Sequence, residues 1–177
     1  AYIPLAAPGD TFSMQVAVRP NDFGDGNFAV GFVETVDKNY FININTGDVL
    51  RMRYIHTGLN AGRFQFGIYN DGTLANNIYS TRIGDAPGAS DTVLLTLSHD
   101  AASGAATGTA YNVTGGYTLS TATAVVPGLS NMLIAGFGWA GIPDQSVSPS
   151  ATPGVVSYFM AGDVSAQPGD EVGGQDA

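Results

Sequence analysis

The chain is 177 residues long, with 24 glycines, no cysteine and a formal charge of −9 from six cationic and fifteen acidic side chains. That balance repels phosphate backbones and anionic lipid, so nucleic acid and membrane surfaces are excluded as electrostatic partners. Absent cysteine excludes disulfides, thiolate catalysis and cysteine-ligated metal, and the longest apolar run falls far short of a bilayer span. The chain opens on Ala1 with no Met and no signal-type apolar segment, as in a processed mature protein or a piece of a longer one.

No stretch carries a helical period, and apolar side chains alternate instead, so every predicted element is a strand. Ala1–Asp10 reads as a lead-in containing prolines. Thr11–Pro20 is a strand with Phe12, Met14, Val16 and Val18 on one face, ended by Pro20. Asn21–Asn27 is a loop dense in turn formers. Phe28–Val36 is the next strand, with Phe28, Val30 and Phe32 inward.

Phe41–Tyr69 reads as three strands pairing in order. In Asn39–Asn45, Tyr40, Ile42 and Ile44 oppose Asn39, Asn43 and Asn45. After a Thr46-Gly47-Asp48 turn, Leu50, Met52 and Tyr54 oppose Val49, Arg51, Arg53 and Ile55. Beyond Thr57–Gly62, Phe64, Phe66 and Ile68 oppose Gln65, Gly67 and Tyr69. One face of this unit is apolar, and the other collects Asn43, Asn45, Arg51, Arg53 and Gln65 with Tyr69.

Asn70-Asp71-Gly72 signals a tight hairpin. The more polar Leu74–Ile83 suits an edge strand. Gly84–Ser90 is a loop, and Asp91–Asp100 a strand with Val93, Leu95 and Leu97 inward. Asp100–Gly104 turns into the small-residue strand Ala105–Val113. A loop at Gly115-Gly116 leads to a Thr-rich strand ending at Val126. Asn131–Gly138 is a strand, Trp139–Gly154 a Pro- and Ser-rich connection, and Val155–Ser165 the closing strand. Ala166–Ala177 has the composition of a disordered acidic tail. About ten or eleven short strands at regular spacing predict one all-β domain over residues 1–165, a two-sheet antiparallel jelly-roll sandwich.

Four of these segments resemble the concanavalin-A-like, laminin-G-like sandwiches of bacterial surface and phage virion proteins. Phe12–Pro20 (FSMQVAVRP) is similar to that family's early F-x-x-x-x-W-V-R-P strand, with Ala17 where Trp is commoner. Val93–Gly116 looks like its hairpin ending in a Y-V-N-G-like turn. Asn131–Gly138 is similar to its L-x-I-G strand, and Gly154–Gln167 to its closing G-x-I-D-E-V-R-I strand, with the acidic pair reduced to Asp163. The resemblance implies adhesion outside the cell or on a virion, often to glycans and sometimes with calcium.

Candidate chemistry is sparse. Glycosidases of this fold carry paired carboxylates as Glu-x-Asp-x-x-Glu, and no such motif is present; Glu34 is isolated at a strand end. A lyase-like set of Tyr54, His56, Arg51, Arg53 and Gln65 is split by alternation, which puts His56 opposite Arg53. His99 reads as a polar strand-end residue. No phosphate-binding glycine loop occurs. The oxygen-rich Asp22, Asp25 and Asn27 are candidate Ca²⁺ ligands, although their spacing is not that of an EF-hand and such residues also form turns. Asp37, Asp71, Asp100 and Asp163 would join them only if folding gathers the loops.

Trp139, the sole tryptophan, either stacks on a sugar from a loop or plugs the sandwich end. Asn112-Val113-Thr114 is a glycosylation sequon. The expected role is therefore non-catalytic: a glycan-binding adhesive module using Asn43, Asn45, Arg51, Arg53, Gln65 or Trp139. The alternative is a capsid-decorating or fibre subunit that assembles with its own copies, and a polysaccharide-active enzyme comes third.

Overall fold

In the computed structural model the described residues are 2–4, 12–19, 28–34, 42–43, 47–55, 59–79, 87–88, 90–100, 102–125, 134–141 and 156–163. They form twelve strands: β1 (Tyr2–Pro4), β2 (Phe12–Val18), β3 (Phe28–Val33), β4 (Ile42–Asn43), β5 (Val49–Ile55), β6 (Arg63–Asn70), β7 (Thr73–Tyr79), β8 (Val93–Asp100), β9 (Ala105–Asn112), β10 (Tyr117–Val125), β11 (Ile134–Gly141) and β12 (Val156–Asp163). Among the described residues, no helix is long and apolar enough to cross a membrane.

The strands make two sheets. The long one runs β1-β11-β3-β5-β6-β7, with β4 joining β11; the short one runs β10-β9-β8-β2-β12. All pairings along these two paths are antiparallel. The chain is thus an all-β sandwich of two antiparallel sheets, as the alternation predicts.

Three placements differ from expectation. Among the described residues, the stretch around Asn43 contributes the two-residue β4, which pairs in parallel with β11. The place beside β5 goes to β3, in the register Val30 with Met52 and Phe32 with Leu50. The reason is burial on both faces: Ala29, Gly31 and Val33 are as enclosed as Val30 and Phe32, a pattern suited to the middle of a sheet and denied to an Asn-rich strand. Second, Tyr2–Pro4 is a strand on β11 rather than a lead-in. Third, the strand expected to end at Gly138 continues to Gly141, which puts the Trp139 backbone inside β11 opposite Phe28 and not in a loop. The predicted tail at 166–177 lies outside the described residues.

The core lies between the sheets. Val30, Phe32, Leu50, Met52, Phe64, Phe66 and Ile68 come from the long sheet; Met14, Val16, Val93, Leu95 and Leu97 come from the short one. Tyr54 and Phe64 meet as a tilted pair with ring centroids 5.1 Å apart. Strands β9 and β10 face this layer with Ala106, Gly108, Ala110, Ala122 and Ala124. Small residues are needed there because the ring of Phe66 fills the space: a Cβ at Gly108 would fall 2.5 Å from Phe66 Cδ2 and 3.2 Å from Leu97 Cδ2. On the opposite side of the short sheet, Thr107 and Thr123 face each other in register, their hydroxyls 3.1 Å apart.

Turn chemistry fixes the ends. Asp71 and Gly72, both at positive φ (46° and 74°), close β6 onto β7 by the two-residue route that matches strand twist. At the other end of the short sheet, buried Asn112 accepts from Gly115 N (2.8 Å) and donates to Asp91 Oδ2 (2.6 Å).

Two measurements test this core. Gly108→Ala should lower unfolding free energy by about 1–3 kcal/mol in urea, the usual cost of overpacking, and Phe66→Leu should cost less in that background than alone. Burial raises the Tyr54 phenol above its ordinary 10.0. The unfolded chain therefore loses that proton first. The stabilisation is complete below pH 10.0 and is lost as pH rises from there through the folded pKa. The urea midpoint should fall above that pH, and Tyr54→Phe should make the fall shallower.

Candidate functional site

The face of the long sheet turned away from the core is where the sequence-derived polar residues meet. Alternation along β5 and β6 sends Arg51, Arg53, Arg63, Gln65 and Tyr69 to that side, because Leu50, Met52, Tyr54, Phe64, Phe66 and Ile68 occupy the core. In the cross-strand register Arg53 opposes Gln65, Arg51 opposes Gly67, and Gly67 opposes Asn77 on β7.

These side chains form a connected system. Arg53 Nε donates to Gln65 Oε1, and Gln65 Nε2 donates to Asn77 Oδ1 at 2.7 Å, so one hydrogen-bonded chain crosses three strands. Beside it, Arg51 Nη2 donates to Tyr69 Oη at 3.0 Å, and the guanidinium carbon lies 5.1 Å from the centre of the Tyr69 ring. Gly67 lies against this pair: a Cβ there would sit in ordinary contact, 3.4 Å from the Tyr69 ring and 3.5 Å from Arg51 Nε.

The face is not uniformly open. Arg51 and Gln65 are each only 2% exposed, and Ala29 and Val33 on β3 are fully buried. Arg53 and Arg63 are half-buried and Asn77 is exposed, so access lies toward β7. Arg51 and Gln65 therefore act chiefly by holding their neighbours. Asn43 lies on β4, away from the β5–β6–β7 cluster in strand order, and Trp139 is on β11. Asn45, His56, Asp22, Asp25 and Asn27 lie outside the described residues.

A second cluster was not anticipated. Glu34, Asp48 and Asp71 converge at one end of the long sheet with carboxylate oxygens within 4.8 Å of one another. Glu34 is thus not isolated. Asp48 N donates to Glu34 Oε2 (3.0 Å), and Asp48 Oδ1 accepts from Asp71 N (3.1 Å). Asp48 is 2% exposed and ties the end of β3 to the β6–β7 turn. Gly47, at φ 67°, leaves the space that the Glu34 carboxylate occupies. Such oxygens suit a hard cation such as Ca²⁺. Their spacing of 14 and 23 residues matches no loop motif; the pairing of β3 with β5 brings Glu34 to Asp48, and that of β5 with β6 brings Asp71 to it.

Two further readings change. His99 is 4% exposed and points inward with Val93, Leu95 and Leu97; it is not a surface residue. Asn112, the sequon asparagine, is fully buried with its amide donating to Asp91 and Tyr117, so the native fold does not present it for glycosylation.

No protein-family model matches the chain, and no curated protein matches it in sequence. Solved structures match it in shape. Sheep galectin-11, in complex with glycerol, superposes with a TM-score of 0.55 at 8% identity, over 91% of this chain and 96% of that one. A double mutant of congerin II gives 0.53 at 11% identity, over 91% and 98%. The enzymatically active domain of bacteriophage CBA120 tailspike protein 2 gives 0.50 at 12% identity, over 90% of this chain and 23% of that one. The likeness is one of fold: two antiparallel sheets packed as a concanavalin-A-like sandwich.

The acidic cluster generates a test. Asp48→Asn keeps an oxygen for the Asp71 amide and removes one of three crowded charges. In chelator the variant should therefore melt higher than the parent, by the equivalent of about 1 kcal/mol. Repeating the melts in millimolar Ca²⁺ reads cation binding directly, because a ligand held only by the native state raises the parent above the variant.

Proposed function

We propose that this chain is a non-catalytic glycan-binding module of an extracellular or virion-surface protein, with the outward side of β5, β6 and β7 as its contact surface where Arg53, Arg63 and Asn77 reach solvent. The observation that carries the reading is the Arg53–Gln65–Asn77 hydrogen-bond chain. It holds amide and guanidinium groups in fixed orientation on a sheet face away from the core, as recognition of sugar hydroxyls requires. The jelly-roll architecture shared with galectin-11 and congerin II, and the adhesive role that the sequence resemblance implies, support the same reading. The tailspike likeness supports a virion setting.

A lytic role is disfavoured by the disposition of the acids. Among the described residues, Glu34, Asp48 and Asp71 are the carboxylates that cluster, and two of them are engaged by backbone amides that hold the sheet end together. An acid and a nucleophile facing a glycosidic bond need free carboxyl oxygens on opposite sides of it.

A second reading, a subunit assembling with its own copies, draws on β10. This nine-residue strand lies at the edge of the short sheet, has no charged residue and leaves Val125 64% exposed. Edges of this kind are ready to pair with another strand.

A glycan array with the purified chain, run beside a solution mass measurement, tests the proposal. The expected result is micromolar to millimolar binding to a restricted set of saccharides, reduced severalfold by Asn77→Ala, without depolymerisation of any of them. A defined multimer with no array signal would transfer the argument to the assembly reading.

A further inference from the structure

The long-sheet face concentrates positive charge in a chain that has very little of it. Lys and Arg total six against fifteen acids. Three of those six, Arg51, Arg53 and Arg63, lie on adjacent strands β5 and β6 and project to the same side. Among the described residues, the outward positions of β3, β5, β6 and β7 hold no carboxylate: the neighbours are Ala29, Gly31, Val33, Val49, Ile55, Gly67, Tyr69 and Asn77. The face is thus locally cationic on a molecule of net charge −9.

Arg53 and Arg63 are the members within reach of a ligand, both half-buried. Arg53 opposes Gln65 and Arg63 opposes Ile55, which makes the two arginines diagonal neighbours. Diagonal pairs stand about 7 Å apart at Cβ, so two guanidinium arms can close on one anionic group. Arg63 Nε is shut off from solvent and has no hydrogen-bond partner, so that nitrogen does not tie the side chain to a neighbour. A guanidinium fork meets a carboxylate or sulfate with two parallel hydrogen bonds, and partial desolvation strengthens both. Beside this pair the exposed amide of Asn77, held by Gln65, offers a neutral polar group suited to hydroxyls. The flat, amide-bearing surface favours a saccharide over an acidic peptide, whose backbone would seek a sheet edge.

We propose that the β5–β6–β7 face binds acidic saccharides, with Arg53 and Arg63 clamping a carboxylate or sulfate group and Asn77 contacting a neighbouring hydroxyl. The proposal rests on the glycan-binding reading above and adds the ligand's charge class.

Isothermal titration of the full chain with four probes tests it: an oligogalacturonate, a sulfated oligosaccharide, an uncharged oligogalactan and polyglutamate. The carboxylated or the sulfated probe should bind at least tenfold more tightly than the uncharged one. Its affinity should fall severalfold between low and high salt, as screening demands. Arg53→Gln and Arg63→Gln should each weaken it by about tenfold or more, with Arg63→Lys intermediate. Arg53→Gln also removes a partner of Gln65, so its urea midpoint is read alongside; Arg63→Gln, which breaks no hydrogen bond recorded at Nε, carries the conclusion if the first variant unfolds. Equal binding of the uncharged oligogalactan overturns the charge assignment and leaves the glycan reading standing. Equal binding of polyglutamate overturns the saccharide assignment. Unchanged affinity in both Gln variants overturns the clamp, and silence with every saccharide overturns the glycan reading together with this one.

Discussion

The contact of Phe66 with Gly108 sets the geometry on which the rest depends. A ring from β6, beside the edge strand of the long sheet, rests where the short sheet offers no side chain, which lets the two layers approach closely. The alanines that flank Gly108 on β9 and those opposite on β10 belong to the same arrangement, small residues answering large ones. Because side chains alternate strictly, fixing Phe66 inward also fixes Gln65 and Gly67 outward. A slip of one residue in β6 would turn phenylalanines to solvent and bury Arg63 and Gln65 in the core. The orientation of the polar face is therefore a consequence of core packing rather than a separate provision.

A guanidinium almost removed from water is stable only when its donors are met. Arg51 meets this demand in part, with Nη2 donating to Tyr69 Oη and the guanidinium lying over the Tyr69 ring. The same logic runs through Arg53, Gln65 and Asn77, each supplying what its neighbour lacks. Such a network is stiff, since moving one member leaves another unsatisfied. Stiffness of this kind serves recognition by holding donors in place before a ligand arrives.

The strands and their faces were legible because their signal is local. Val93, Leu95 and Leu97 against Thr96 and Ser98, or Phe64, Phe66 and Ile68 against Gln65 and Tyr69, declare their sides within a few residues. Asn70-Asp71-Gly72 likewise names its own turn. What escaped was non-local. The neighbour of β5 is decided by which strand can tolerate burial on both faces, and the stretch through Ile42 and Asn43 was the nearer candidate in sequence. The Glu34–Asp48–Asp71 cluster is assembled by pairing between distant segments, so no spacing rule could expose it. His99 was misplaced because its polarity was weighed above the alternation of β8, which had already assigned it inward.

The place of β10 at the end of the described short sheet has a consequence for how copies of the molecule meet. Natural sheets guard their edges with lysines, prolines or inward charges, and Tyr117–Val125 has none of these. The overall charge of −9 sets a long-range repulsion between copies, which is not a local guard of the strand. That protection vanishes near pH 4.2, where the net charge crosses zero. Acidification thus removes the repulsion between copies of the chain, and among the described residues the edge of β10 is where nothing in the strand's own sequence replaces it.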